Sequence, residues 1–141
     1  FHIVVDRSAK TLSIFDKAGE KRGSCAAMAY GQHADWKATS GDTPPGLYEC
    51  GVIYDTLGEA AYGRWCIDLI DLTGNEDRNG RAGISLHGGG SAAPDPFAKR
   101  QGWYRTHGCI RVQNEDLETL IEPLVRTAQR CGHKVYVTVV E

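Results

Sequence analysis

"NEDLETLIEPLVRTAQRCG", residues 114–132, is the one stretch of this chain with a helical period, and its isolation decides the fold class. Leu117, Leu120, Ile121, Leu124, Val125 and Ala128 recur at steps of three and four, which places them on one face of an amphipathic helix. Asn114 is positioned to cap its start, Glu115 and Asp116 suit its first turn, and Gly132 can end it. Pro123 removes a backbone donor inside the pattern, so the expectation is a kink there or two short helices meeting at Glu122.

On either side of that helix the chain reads as strand and turn. "HIVV" (2–5), "TLSIF" (11–15) and "SCAAMAYG" (24–31), joined by polar connections, predict an antiparallel meander. "TSGDTPPGLYECGVIY" (39–54) gathers turn formers ahead of a β-type run, and its two prolines forbid a central strand before Leu47. "RWCIDLID" (64–71) alternates apolar with polar residues, "GISLHG" (83–88) is a short strand ending in glycine, and "HKVYVTVV" (133–140) puts Val135, Val137 and Val139 on one strand face. The expected architecture is a mainly β, mostly antiparallel fold carrying one helix, as a single domain over residues 1–141.

Sixteen Lys and Arg against eighteen Asp and Glu give a formal net charge of -2, with the basic residues scattered, so no nucleic-acid partner is implied. No apolar run approaches the roughly 20 residues of a membrane-spanning helix. The chain opens directly on the strand-like "FHIVVD", which is expected either of a cytosolic protein or of a mature form whose targeting segment has been removed.

Three motifs fall away on inspection. "GNEDRNGRAGISL" (74–86) follows half of a calcium-loop pattern but ends on Leu86 where a bidentate Glu belongs, so a surface loop with local Asn and Asp turns is expected. "HGGGS" (87–91) is similar to a lipase oxyanion loop, yet no G-x-S-x-G elbow accompanies it. A phosphate cradle would need Gly-Lys-Ser/Thr after the glycines, and none follows.

Cys25, Cys50, Cys66, Cys109 and Cys131 form no C-x-x-C pair, and for all but Cys109 a buried hydrophobe is the default expectation. Cys109 lies in "YRTHGCIRV" (104–112), too polar and glycine-flanked for an inert core position. Read on residue types alone, it is a zinc ligand with His87, His107 or His133, half of a disulfide, or a nucleophile. As a nucleophile it would find candidate bases in His87 and His107, glycines at 88 and 108 that let backbone N–H groups approach an oxyanion, and a charge at Arg111 that favours the thiolate.

"HG" at 87–88, seventeen residues, then "THGCIRV" at 106–112 resembles the signature of the YkuD-type L,D-transpeptidases. "YG" (30–31), "TPPGLYE" (43–49) and "CGHKVYV" (131–137) are similar to that family's substrate-face and closing strands, in the same order. The resemblance implies a β-sandwich or barrel without a cofactor or metal. It makes Cys109 the nucleophile, His87 the base oriented by the Gly88 carbonyl, and His107 a supporting residue beside the thiol. Gly108 and Cys109 would offer oxyanion N–H groups, and Arg111 and Thr106 would serve the loop or the substrate, with an ion pair to an acid of the following helix the other reading of Arg111. As a departure from the family, residues 89–105 would form a lid whose Trp103 and Tyr104 line the site, and a tyrosine completing the oxyanion hole would be Tyr62 or Tyr54. The implied substrate is the stem peptide of bacterial peptidoglycan, with water or a free D-amino acid as alternative acceptors, carbapenems as inhibitors, and a periplasmic, secreted or wall location. A toxin role and a non-catalytic wall-binding or zinc-stabilised module are the competing readings.

Overall fold

A computed structural model describes residues 1–141, apart from the side chain of Leu57. Eight strands run in chain order as β1 (His2–Asp6), β2 (Thr11–Phe15), β3 (Lys21–Met28), β4 (Gly46–Glu59), β5 (Gly63–Asp71), β6 (Ser85–His87), β7 (Ile110–Val112) and β8 (Tyr136–Val140). They close into a barrel with neighbours in the order β1-β2-β3-β7-β6-β5-β4-β8, so the last strand seals the sheet against the first. The expected mainly β barrel is therefore present. Its meander β1-β2-β3 is antiparallel, with Ile3, Val5, Leu12 and Ile14 buried at alternate positions and the polar residues between them turned outward.

Two pairings are parallel, β1 with β8 and β6 with β7. Parallel neighbours cannot be joined by a tight turn and need a crossover of a dozen or more residues. For β6 and β7 that crossover is residues 88–109, so a strand pairing forces the long loop in which the family motif lies.

The helical region is built in three pieces: α2 (Asn114–Asp116), a π-helical turn (Leu117–Ile121) and α3 (Glu122–Arg130). Pro123 falls in the first turn of α3, where its missing N–H costs least, and the π turn ahead of it absorbs the break in the ladder. Leu117, Ile121, Val125 and Ala128 pack into the same core as the barrel's Ile67, Leu86, Ile110 and Val137. Gly132, at φ +78°, ends the helix, and the His133 N–H returns to the Ala128 carbonyl at 2.9 Å. One expectation is corrected here: Asn114 is not the cap. Gln113 occupies that position in an extended conformation, and the Asn114 side chain is buried and directed at the crossover loop.

"GNEDRNG" also departs from a plain loop. Residues Asn75–Arg78 form a single helical turn, α1, braced by Asn75 Nδ2 donating to the Pro45 carbonyl at 2.7 Å and by the Glu76 N–H donating to Asp71 at 2.8 Å. Among the described residues no helix is long and apolar enough to cross a membrane.

Candidate active site

β6 ends on His87 and β7 begins one residue after Cys109, and the parallel register sets Leu86 against Ile110 and His87 against Arg111. Residues two apart on a strand share a face, so Ser85, His87, Cys109 and Arg111 all point to the same side of the sheet, away from the Leu86 and Ile110 core row. The crossover loop thus starts and finishes at one place. A sequence separation of more than twenty residues becomes adjacency on two neighbouring strands.

The imidazole of His87 is 3% exposed, and its Nδ1 lies 2.7 Å from the Gly88 carbonyl. A carbonyl only accepts, so Nδ1 carries the proton and Nε2 keeps its lone pair. Burial foremost, aided by the Arg111 charge, pushes the ring's pKa down to about 4 against the opposing pull of the Gly88 bond. The ring of Tyr62 meets it edge-on, centroids 5.0 Å apart. Tyr54 lies farther off, across β5 opposite Cys66, with half of its surface in solvent.

Cys109 is half-buried, with its sulfur 3.5 Å from the Gly83 carbonyl and in reach of the Ser85 backbone N–H. The sequence expectation of a thiolate favoured by neighbouring charge is altered by the structure. Arg111 and Arg81 do act in that direction, but desolvation outweighs them and raises the thiol to about 11. With His87 low and Cys109 high, the resting pair is neutral thiol and neutral imidazole.

The turn carrying the cysteine is built by hydroxyls. Thr106, itself buried, accepts the Gly108 N–H at 3.0 Å and donates to the Cys109 carbonyl at 2.8 Å. Thr43 donates to the Gly108 carbonyl at 2.6 Å. Gly108 stands at φ +123°, a conformation that favours glycine. His107 lies at the surface, its Nδ1 3.1 Å from the Ser40 hydroxyl.

Arg111 is buried, and its guanidinium donates to the Tyr104 carbonyl while its Nε has no partner among the described residues. The acids of the following helix are met instead by Arg100, 3.8 Å from Glu115 and 3.5 Å from Asp116. Trp103 leans toward Lys10, Ala27 and Met28, where it lines a groove of about 310 Å³.

Several residues that fasten the site carry no signature in a single sequence. Buried Arg81 donates to the carbonyls of Trp36, Gly41, Asp42 and His107, tying the 36–42 segment to the cysteine turn. Asn114 accepts the Gly89 N–H and donates to the Pro96 and Ala98 carbonyls, while Gln101 bridges Gly89, Val112 and Asn114. The glycine run of "HGGG" has its reason in the β4–β5 hairpin tip, whose Ala60 and Tyr62 carbonyls accept the N–H groups of Gly90 and Gly88. A side chain at Gly89 would overlap that tip, and one at Gly88 would overlap Asn114.

All five cysteines are unpaired; Cys50 and Cys66 are buried and Cys25 is half-buried, whereas Cys131, at the end of α3, is exposed rather than a core hydrophobe. No three His, Cys, Asp or Glu side chains among the described residues gather as a metal site.

No curated protein matches the sequence. Among solved structures the fold is shared by the helical cell shape determining protein Pgp2 from Campylobacter jejuni, at 21% identity and a TM-score of 0.65, covering 99% of this chain and 47% of that one. Bd1075 from Bdellovibrio bacteriovorus gives 18% identity and a TM-score of 0.62, covering 99% and 46%. LD transpeptidase LdtMt1 in complex with imipenem, from Mycobacterium tuberculosis, gives 15% and 0.51, covering 99% and 58%. The chain therefore spans about half the length of such proteins. At these identities the likeness is one of fold, but residues 1–137 also match the family model of the L,D-transpeptidase catalytic domain, which takes in both ends of the β6–β7 crossover. The chain belongs to the YkuD family of L,D-transpeptidase catalytic domains.

Proposed function

We propose that residues 1–141 act as one catalytic unit that transfers an acyl group from a peptidoglycan stem peptide through a thioester on Cys109. The observation that carries this is the His87 Nδ1 to Gly88 carbonyl bond, which leaves Nε2 as an acceptor on the face shared with the thiol. Cys109 attacks the carbonyl of the stem's third residue while its proton passes to Nε2. The C–N bond to the terminal D-alanine breaks, and the proton on His87 leaves with the amine. An incoming amine then attacks the thioester and gives its proton to His87, and the departing Cys109 thiolate takes that proton back from Nε2. Since both partners start neutral, the thiol–imidazole pair itself carries no charge before the substrate arrives.

The oxyanion rests chiefly on the Cys109 N–H, because the Gly108 N–H already donates to Thr106. Arg111 and Thr106 hold the site's shape, and His107, Trp103 and Tyr104 take places at its rim. An amine from a second stem gives a cross-link, a free D-amino acid gives exchange, and water gives carboxypeptidase action. Since that substrate lies outside the cytoplasm, the site of action is the periplasm or wall. The same thiol attacks a carbapenem, whose strained carbonyl stands in for the peptide's; the neighbour solved with imipenem supports this.

Mass spectrometry of purified muropeptides incubated with the protein tests the proposal. Loss of D-alanine that disappears in Cys109→Ala, with a carbapenem adduct confined to Cys109, is the expected result. Turnover that survives Cys109→Ala refutes it, and stoichiometric zinc lost with that substitution would favour a metal-stabilised binding module.

A further inference from the structure

We infer that Asp68 is the counter-ion for a primary ammonium of the substrate, an inference that rests on the stem-peptide reading. Asp68 lies directly opposite Ser85 in the β5–β6 register, two residues along from the Cys66 and His87 pair, so it shares the outward face of the sheet with the reacting residues. The Ser85 N–H reaches the Cys109 sulfur, which places Asp68 one strand beyond the residue that touches the nucleophile. β5 and β7 are two strand spacings apart, about 10 Å. A carbonyl held at the sulfur can reach that distance with a four-carbon side chain ending in an ammonium.

The surroundings of Asp68 suit such a group. Among the described residues its carboxylate accepts no hydrogen bond and meets no cation, and the titrating neighbours that feel its charge are Cys66 and Glu76, neither of them basic. Gly51 on β4 keeps a side chain off it: a β-carbon there would crowd Asp68 Oδ2 at 3.4 Å and Ile70 Cδ1 at 3.2 Å. Ile70, 45% exposed, and Tyr54, 53% exposed, supply apolar flanks for the methylene stem. A half-buried carboxylate with no cation beside it can form a charge-assisted hydrogen bond to an arriving ammonium. The ammonium belongs to the residue whose carbonyl is attacked, because an acceptor's amine has to reach the thioester itself and cannot rest at Asp68, two strand spacings away.

Two tetrapeptide stems, one with lysine and one with norleucine at the third position, are compared with wild type and Asp68→Asn. Hydrolysis is followed with water as the acceptor, so the two peptides differ only in the donor's side chain. Wild type should favour lysine by roughly ten- to a hundredfold in kcat/KM, and Asp68→Asn should erase the preference while leaving norleucine hydrolysis unchanged. Equal hydrolysis of the lysine and norleucine peptides by wild type overturns the inference without reference to any variant, as does a preference that survives Asp68→Asn. A wild type that processes neither peptide refutes the stem-peptide reading itself, and this inference falls with it.

Discussion

The guanidinium of Arg81 occupies the space that a β-carbon on Gly108 would need. One buried cation therefore sets both the identity of the residue before the nucleophile and the position of the 36–42 segment, through the carbonyls of Gly41, Asp42 and His107. Gly108→Ala combines a φ of +123° with that overlap, and should lower stability by about 1–3 kcal/mol and suppress Cys109 acylation. Thermal melting and the rate of carbapenem adduct formation check both. A variant that melts and acylates as wild type does would show that the turn adapts freely.

Arg81→Met removes the donors and keeps much of the bulk. Up to four carbonyls would then lose a partner, so hydrogen exchange should rise across 36–42 and 106–108 before it rises in the barrel. Protection unchanged in both segments would mean that Thr43 and Thr106 suffice to hold the turn.

His87, pushed down to about 4, and Cys109, raised to about 11, define the pH dependence of acylation. Base catalysis requires neutral imidazole, so the acylation rate should be flat through neutrality and fall on the acid side with a midpoint near 4. His87→Ala should reduce the rate by about a hundred- to ten-thousandfold. Stopped-flow acylation measures the profile. An acid limb well above 4 would mean that the working base is not the buried imidazole of His87.

Stability carries two opposed pH terms. His87 has a folded pKa below its unfolded value, so its contribution is present above about 6.5 and is lost as pH falls through about 4. Glu76, buried beside Asp71, Asp68 and Asp77, is pushed up to about 7, so its contribution is complete below 4.5 and is lost as pH rises through 7. Glu76→Gln should therefore raise the melting temperature relative to wild type at pH 8 and do little at pH 4. An equal shift at both values would mean that the carboxyl does not titrate abnormally.

How much of this was legible in the sequence differs by element. The barrel strands are local: Ile3, Val5, Leu12 and Ile14 alternate along short runs, and the helix announces itself through Leu117, Ile121 and Val125. The candidate site was legible at "HG" and "THGCIRV" because those residues are few, adjacent and of restricted type. Arg81, Gln101, Asn114 and Thr43 were not, because each acts on backbone carbonyls or N–H groups far along the chain, and any backbone can serve as partner. Asn114 shows the cost of local reasoning: its type and place suit a cap, yet its bonds run to Gly89, Pro96 and Ala98. The parallel pairing of β6 with β7 was equally hidden, since two three-residue strands have no periodicity to reveal their direction.

The five thiols should be resolved in time by alkylation of the native protein without reductant. Cys131 is exposed at the end of α3 and should react first. Cys50 is buried, Cys25 is half-buried, and burial raises both thiols to about 12, so these should wait for unfolding. Cys66 is buried and raised in the same direction, with the Ser85 side chain opposing that shift, and it should follow them. Cys109 is half-buried and raised to about 11, which makes simple alkylation slow; a carbapenem that engages His87 as its base should label it faster than iodoacetamide does. Because the resting thiol is neutral, Cys109 should remain free in oxidising buffer when Cys131 has already been lost to intermolecular pairing. Peptide mapping reads each site. Cys109 found joined to another cysteine in active material, or alkylated before Cys131, would contradict a neutral, half-buried nucleophile awaiting its substrate.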